Sequence, residues 1–389
     1  MAQRRIFEEV AAPPTREAMP RGGLIAHPSE GARAAIRRWL ILLFVLVAAM
    51  IAVGGLTRLT GSGLSITEWR PVTGAIPPLD AASWAAEFEK YKATPQFALA
   101  NATMTFEEFK FIYWWEWGHR QLGRLIGLVW AAGFLWFLLR RRIPPGWTGR
   151  LALVGVLGGL QGAIGWWMVS SGLVGSMVAV ASYRLAVHLG LAFVILGLLA
   201  WDAMLVTRSE AQRIAARRAG EPGLSALAGV VVGLVFIQIV LGALVAGIDA
   251  GRAFPTWPLM GESFFPADAF YVPDGAGGTL PAWHAFFENP GLVQFIHRMW
   301  GYFLLAFGLV TFLHGLHSAH GATRRAFGAM ALMLVVQIVL GIMAVLTAAR
   351  LDAAIIHQIG AVVLWVLVLR ARLLARYPVA ASIREGGRT

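Results

Sequence analysis

The stretch WLILLFVLVAAMIAVGGLT, residues 39–57, decides the fold class. It carries no charged side chain, and as a helix with about 1.5 Å rise per residue it is long enough to cross roughly 30 Å of hydrocarbon. Similar apolar runs recur along the chain, and the predicted spans are 39–57, 113–139, 151–170, 184–206, 223–247, 293–316, 326–347 and 353–371. The sequence therefore predicts an all-α integral membrane protein with eight transmembrane helices.

Basic residues orient these helices, because short loops rich in Lys and Arg stay on the cytoplasmic side of a membrane. Arginines cluster near the N-terminus, in every second loop and in the tail: Arg33, Arg37, Arg38, Arg140, Arg141, Arg142, Arg150, Arg208, Arg213, Arg217, Arg218, Arg324, Arg325, Arg370, Arg372 and Arg376. Both termini are thus expected in the cytoplasm. The net charge of +12 then reflects topology and contact with anionic membrane lipids, and it does not indicate nucleic-acid binding.

The chain contains no cysteine, so disulfides, thiolate ligands and redox thiols are excluded. Its N-terminal segment, with Glu8 and Pro13, has neither the apolar core of a signal peptide nor the acid-poor composition of a transit peptide. We expect residues 1–38 to form a cytoplasmic arm. The chemistry of this chain must come from histidines, carboxylates, arginines or a bound cofactor.

The sequence repeats internally. Gly54, Gly63 and Trp69 recur as Gly242, Gly251 and Trp257 at a constant spacing of 188 residues. Because each copy contains an even number of spans, the copies keep one orientation and are related by an axis along the membrane normal. The prediction is two tandem four-helix bundles with a pseudo-two-fold axis, divided into an N-terminal repeat, 39–206, a C-terminal repeat, 223–371, and a cytoplasmic tail, 372–389.

Four histidines, one on each helix that enters from the outer side, stand near that entrance: His119, His188, His297 and His357. An intramembrane histidine is expensive and usually pairs, relays protons or binds a metal. Two imidazoles facing each other inside a bundle can supply both axial ligands of a haem iron. Hydrogen bonding and proton relay stay open as alternatives, while zinc lacks a third protein ligand at suitable spacing. The other histidines lie in predicted loops or helix ends: His27, His284, His314, His317 and His320.

Charged residues beside these histidines extend the two sites. Four arginines are candidates for pairing with haem propionates, or else for snorkelling at the interface: Arg120, Arg124, Arg184 and Arg298. Glu116 precedes His119 by three residues and shares its helix face, whereas the corresponding residue in the second copy is Gln294. A carboxylate can transfer protons, so Glu116 is a catalytic candidate; a simple ion pair with Arg120 is the alternative.

Two motifs resemble the haem A synthase family. They are GGLTRLTGSGLS at residues 54–65, followed by WRP at 69–71, and FKFIYWWEWGHR at residues 109–120; FIHR at 295–298 adds to the match. The resemblance covers most of residues 39–371. It implies an enzyme of the bacterial inner membrane that oxidises the C8 methyl group of haem O to the formyl group of haem A, for terminal oxidase assembly.

The same resemblance implies roles for the site residues. His297 and His357 would ligate a haem b cofactor, His119 and His188 the substrate haem O, and Glu116 would be the catalytic carboxylate. Implied partners are haem O synthase as the source of substrate, terminal oxidase assembly factors and membrane lipids, and a homo-oligomer stays open. Some bacterial members carry a cysteine pair in the first outer loop; this chain has none and resembles the proteobacterial and mitochondrial branch.

Two rival functions from other classes stay open at this stage. A dihaem b-type electron carrier that oxidises quinol would need the same histidines without methyl oxidation, and a transporter built from two repeats would use histidines for proton coupling. The long first outer loop, 58–112, is expected to hold a short helix from Ser83 to Lys92. A capping box from Thr105 to Glu108 should open the approach to the second span.

The topology yields a first testable prediction. Because the native chain has no cysteine, a Gly175→Cys variant carries a single thiol, which should react with a membrane-impermeant maleimide added to the outer face. Arg141→Cys, in a predicted cytoplasmic loop, should react only after the membrane is opened. The opposite labelling pattern would invert the predicted orientation.

Overall fold

The computed structural model describes residues 30–175, 177–274 and 277–379, and within them regular structure is helical apart from two isolated bridges, Met260–Ser263 and Pro273–Thr279. The α-helices in chain order are α1 (Glu30–Leu59), α2 (Ala81–Lys92), α3 (Pro95–Ala100), α4 (Phe106–Leu139), α5 (Thr148–Ser171), α6 (Ser182–Leu205), α7 (Glu210–Arg218), α8 (Pro222–Gly247), α9 (Ala250–Ala253), α10 (Ala285–Glu288), α11 (Pro290–Leu316), α12 (Gly321–Leu346) and α13 (Leu351–Arg376).

Among the described residues, eight helices are long and apolar enough to cross a membrane: α1, α4, α5, α6, α8, α11, α12 and α13. Large apolar side chains also point outward from these helices, with Leu128, Val156 and Leu332 about two-thirds exposed. Outward apolar surface of this extent is unfavourable in water but suits contact with lipid. The predicted fold class, an all-helical protein of eight membrane spans, is confirmed.

The eight long helices pack as two sets. In the first half α1 contacts α4 and α6, and α5 contacts the same two helices; in the second half α8 contacts α11 and α13, and α12 contacts the same two. The sets meet where α6 packs on α8 and where α13 packs on α1 and α6. These contacts suit two four-helix bundles, and the pseudo-two-fold axis between them stays a prediction.

Indole groups cross-link neighbouring helices within and between the two sets. The N–H of Trp39 on α1 donates to the carbonyl of Val129 on α4 at 3.0 Å, and that of Trp365 on α13 donates to Phe193 on α6 at 2.9 Å. A buried indole needs a hydrogen-bond acceptor, and a helix carbonyl supplies one where no water is present. Each such bond fixes the rotation of one helix against the next.

Some helix ends lie beyond the predicted apolar spans. The second span begins seven residues early, at Phe106, because the predicted capping box forms between Thr105 and Glu108. The predicted short helix of the outer loop is present and starts at Ala81, with Asp80 as its N-cap. Helix α7 was not predicted, although Ser209 and Gln212 form a capping box at its start.

The domain boundaries stay a prediction. Helix α1 begins at Glu30, inside the segment assigned to the cytoplasmic arm, and the part of that arm before Glu30 lies outside the described residues. Helix α13 runs to Arg376, a few residues into the predicted tail.

An ion pair with one buried partner lies at the end of the first helix set opposite the histidines. The Asp202 side chain on α6 is only 2% exposed and accepts hydrogen bonds from the Arg150 guanidinium on α5, which is 40% exposed. The arginine can turn to water if its partner is lost, whereas the carboxylate cannot. The two residues are therefore unequal contributors to stability.

We predict that Arg150→Ala destabilises the folded protein more than Asp202→Asn does. Removing the arginine leaves a buried carboxylate without its cation, at a cost of about 3 kcal/mol. Thermal unfolding of both variants in detergent measures the order. Equal shifts, or a larger shift for Asp202→Asn, would contradict the assignment.

Candidate functional site

Each of the four predicted site histidines lies against a glycine of a neighbouring helix. A methyl group in place of the glycine hydrogen would lie 3.0–3.3 Å from the Cε1 atom of the ring, tighter than an ordinary contact. The glycines therefore allow the rings to approach the adjacent helix backbone closely. The pairs are Gly54 with His119, Gly165 with His188, Gly242 with His297 and Gly341 with His357.

The four glycines stand near the C-terminal ends of α1, α5, α8 and α12, each about one and a half turns before the helix ends. The four histidines stand in the N-terminal parts of α4, α6, α11 and α13. The sequence predicted that all four histidines lie toward one end of the molecule. That prediction requires the histidines, near the N-terminal ends of their helices, to contact neighbouring helices near their C-terminal ends, as they do here.

Glutamines one turn before two of these glycines hold the rings. The Gln161 amide nitrogen donates to the His188 carbonyl at 2.9 Å and lies 3.1 Å from its ring Nδ1; Gln238 does the same for His297, at 3.1 and 3.2 Å. The same amide nitrogens lie 3.4 Å from Nε2 of His188 and 3.3 Å from Nε2 of His297, so each glutamine contacts both nitrogens of its ring. A polar partner of this kind fixes the orientation of an imidazole, and a haem iron at Nε2 would have to displace the second contact.

The two second-half histidines line one narrow cleft. Its walls also include Gln337 and Gly341 of α12, and Trp257, whose indole N–H donates to the Tyr302 hydroxyl at 2.6 Å. Its volume is about 60 Å³, so a macrocycle would have to widen it. This cleft brings together the two residues predicted to ligate a haem cofactor.

In each pair the other ring, that of His119 or His357, has no hydrogen bond from a glutamine among the described residues. The residue one turn before Gly54 is Met50, so no glutamine stands at that place. The buried Nδ1 atom of His119 has no hydrogen-bond partner among the described residues, and the same holds for His357 in the second half. Buried imidazole nitrogens without a partner are costly, and neutral imidazole pairs suit haem iron. The residues present therefore fit a haem at each pair.

Glu116 is buried beside His119 and is held by the first outer loop. One carboxylate oxygen accepts from the Ser65 hydroxyl at 2.7 Å and from the Ile66 backbone N–H at 2.9 Å, and the other accepts from Arg120 at 2.7 Å. The ion pair considered from sequence is thus present. It does not exclude a catalytic role, because the carboxylate is only 3% exposed and stands one turn from the histidine.

The corresponding position in the second half is weakly bound. The Gln294 amide donates to the Phe254 carbonyl at 3.4 Å, and its buried oxygen has no partner among the described residues. Of these two positions, only that of Glu116 therefore holds an anionic group in charge-assisted hydrogen bonds. The asymmetry expected from the sequence carries through to the surroundings of the two side chains.

The four arginines predicted to pair with propionates bind loop or helix-end carbonyls in this structure. Propionate binding stays a prediction, and it would have to replace or add to these contacts. The partners are the Ile66 and Glu68 carbonyls for Arg120, Pro71 and Arg70 for Arg124, Trp167 for Arg184, and Phe254 and Leu259 for Arg298.

The first outer loop and the N-terminal half of α4 line a cavity of about 340 Å³. Arg120 and Arg124 line it on the helix side, and Glu68 and Glu87 line it on the loop side. Lys90 bonds to both carboxylates, and its hydrogen bond to Glu87 raises the pKa of Lys90 above its ordinary value. The loop therefore covers this end of α4 through a network of charges.

The remaining histidines lie away from both pairs, as predicted from sequence. His284 belongs to a short 3-10 helix, and His314, His317 and His320 stand at the far end of α11 and the start of α12. His27 lies outside the described residues.

Sequence reasoning missed the glutamines as ring partners. The signal was present, since a glutamine stands four residues before a glycine at Gln161, Gln238 and Gln337. Which histidine each glutamine contacts depends on which helices pack together, and residue spacing along the chain does not predict that.

Fold and site together define a helical membrane protein with four glycine-packed histidines, one of them a helix turn from a buried carboxylate. Residues 37–369 match the COX15-CtaA family model, described as cytochrome oxidase assembly protein. The chain is 61% identical to a heme A synthase of Cereibacter sphaeroides over 386 residues, covering 99% of this chain and 98% of the relative. It is 60% identical to that of Paracoccus denitrificans, covering 99% of both chains.

A third relative, the heme A synthase of a Ruegeria species, is 58% identical and is covered completely. The chain belongs to the COX15-CtaA family of cytochrome oxidase assembly proteins. The resemblance seen in the sequence motifs is thereby confirmed.

The glycine contacts predict a position-specific effect on α5. Gly165→Ala should push the His188 ring aside and reduce the amount of haem retained by the first pair, because the added methyl lies 3.0 Å from the ring. Gly158→Ala, two turns earlier on the same helix, meets nothing within 4 Å and serves as the control. Haem content per purified protein is the measurement, and an equal loss in both variants would contradict the role of Gly165.

Proposed function

We propose that this chain oxidises the C8 methyl group of haem O to the formyl group of haem A. The observation that carries the proposal is the buried Glu116 carboxylate one turn from His119, beside one of two glycine-packed histidine pairs. Relatives of about 60% identity over nearly the whole chain, named heme A synthase, support the same reaction.

In this proposal the two halves have separate tasks. The N-terminal repeat, 39–206, takes haem O between His119 and His188, and the C-terminal repeat, 223–371, holds haem b between His297 and His357. When bound, haem b supplies a one-electron acceptor close to the substrate. His297 and His357 line one cleft at the second pair, and Gln238 contacts the His297 ring; a bound haem would widen this cleft.

The reaction replaces two hydrogens of the methyl group by one oxygen and releases four electrons and four protons when water is the oxygen source. We propose two successive two-electron oxidations, a gem-diol and its dehydration to the aldehyde. Glu116 is the residue in this chain placed to accept protons from the reacting carbon or its hydroxyl group. Arg120 and Ser65 orient the carboxylate, and release of either bond frees an oxygen lone pair for a proton.

The setting of the enzyme follows from the same proposal. We propose that the protein lies in the bacterial inner membrane with both termini in the cytoplasm. Both histidine pairs then lie toward the outer face. Haem O arrives from its synthase or from the surrounding lipid, and haem A passes to factors that assemble terminal oxidases. Arg120, Arg124, Arg184 and Arg298 are proposed partners of haem propionates.

The dihaem electron carrier is the main rival. It requires two equivalent haem sites and gives no role to a buried carboxylate at one of them. The contrast between Glu116, with three strong donors, and Gln294, with an unpaired oxygen, therefore favours the oxidising enzyme.

The decisive variant is Glu116→Gln, tested in cells that supply haem O. Haem b content should persist, while haem A output falls by about a hundredfold or more, because the amide cannot accept a proton at ordinary pH. Chromatography of extracted haems should show haem O or a hydroxylated intermediate accumulating. Glu107→Gln, an exposed carboxylate in the first turn of the same helix, is the matched control.

A further variant distinguishes proton transfer by Glu116 from its role in anchoring the first outer loop. Ser65→Ala keeps the carboxylate and removes one of its loop contacts, so it should retain most haem A output. Wild-type output from Glu116→Gln would refute the catalytic role. An equal loss in both variants would assign Glu116 to loop anchoring.

A further inference from the structure

Two consecutive glycines of α1 face the two histidine sites. Gly54 packs on the ring of His119, as described above. Gly55 faces Gln358 of α13, and a methyl group at Gly55 would lie 2.8 Å from the Gln358 Cδ atom and closer still to its oxygen. The glycine pair therefore lets α1 touch a residue of the first site on one face and a residue beside the second site on the other.

Gln358 is tied to α1 by more than packing. Its amide nitrogen donates to the carbonyl of Ile51 at 2.6 Å, across 307 residues of sequence. Gln358 directly follows His357 on α13. One side chain thus joins the helix that carries His357 to the turn of α1 that packs on His119.

The other junction between the two helix sets is built differently. There Leu189 follows His188 on α6, and Ala243 follows Gly242 on α8. Both belong to an apolar cluster with Ala186 and Leu244. An apolar pair is thus sufficient to join the two sets, and a half-buried amide is the more costly choice unless its hydrogen bond serves a purpose.

We infer that Gln358 is a positioning residue that fixes the separation and mutual orientation of the two histidine sites. The inference deepens the proposed function, on which it rests, because a substrate site and a cofactor site that exchange electrons must keep a constant geometry. A hydrogen bond is directional and fixes the register of α13 on α1, whereas apolar contact permits sliding.

The test uses the clash that a methyl at Gly55 creates. Gly55→Ala should lower the midpoint of thermal unfolding by several degrees and shift the low-spin EPR signal of the haem held by His297 and His357, although Gly55 lies on the other helix set. The double variant Gly55→Ala/Gln358→Ala should recover part of both changes, because the amide no longer occupies that space. Gly127→Ala, on α4 with nothing within 4 Å, should change neither.

Gln358→Leu keeps the side-chain volume and removes the donor, so it reports even where Gly55→Ala does not fold. It should lower the unfolding midpoint by about 2–4 °C and broaden the EPR signal while haem b content is retained. An unfolding midpoint and EPR signal equal to wild type would overturn the inference. So would a Gly55→Ala defect that the second substitution leaves unchanged.

Failure of the proposed function can be distinguished from failure of this inference. If the wild-type protein forms no haem A while the two substitutions still compensate each other in thermal unfolding and EPR, the positioning role stands and the reaction is wrong. If the protein binds no haem at all, compensation in unfolding alone decides whether Gln358 and Gly55 are coupled.

Discussion

The close approach of an imidazole ring to a glycine backbone is the constraint on which both sites depend. Hydrocarbon offers no hydrogen-bond partner, so a polar ring among apolar helices must be held by shape and by the few polar groups nearby. Glycines at four helix crossings provide the shape. Gln161 and Gln238 provide the polar contact for one ring of each pair, and they leave His119 and His357 with unpartnered nitrogens.

The outer loop of the first half adds chemistry to this scaffold. Glu116 and Arg120 form an ion pair within one helix, and together they bond to Ser65, Ile66 and Glu68 of the loop. The same contacts that orient the carboxylate therefore close the loop over α4. A proton taken up by Glu116 would weaken the ion pair with Arg120. Proton transfer at this carboxylate is therefore coupled to the attachment of the first outer loop to α4.

The sequence predicted the parts of the molecule that depend on local pattern. Apolar length gave the spans, and the Thr105 capping box gave the start of α4, because both are set by residues close together in the chain. The Gln238 bond to His297 and the Gln358 bond to Ile51 were not predicted. They depend on which helices pair and at what rotation, and an apolar helix in lipid carries little periodicity that would reveal its inner face.

The central claim is that the paired histidines hold haem, and the C-terminal pair tests it most directly. Low-spin b-haem absorbance of the purified protein, measured in the reduced-minus-oxidised spectrum, should disappear in His297→Ala and in His357→Ala. It should remain in His284→Ala, a histidine of the outer loop away from both pairs. Full wild-type absorbance in both of the first two variants would contradict the account.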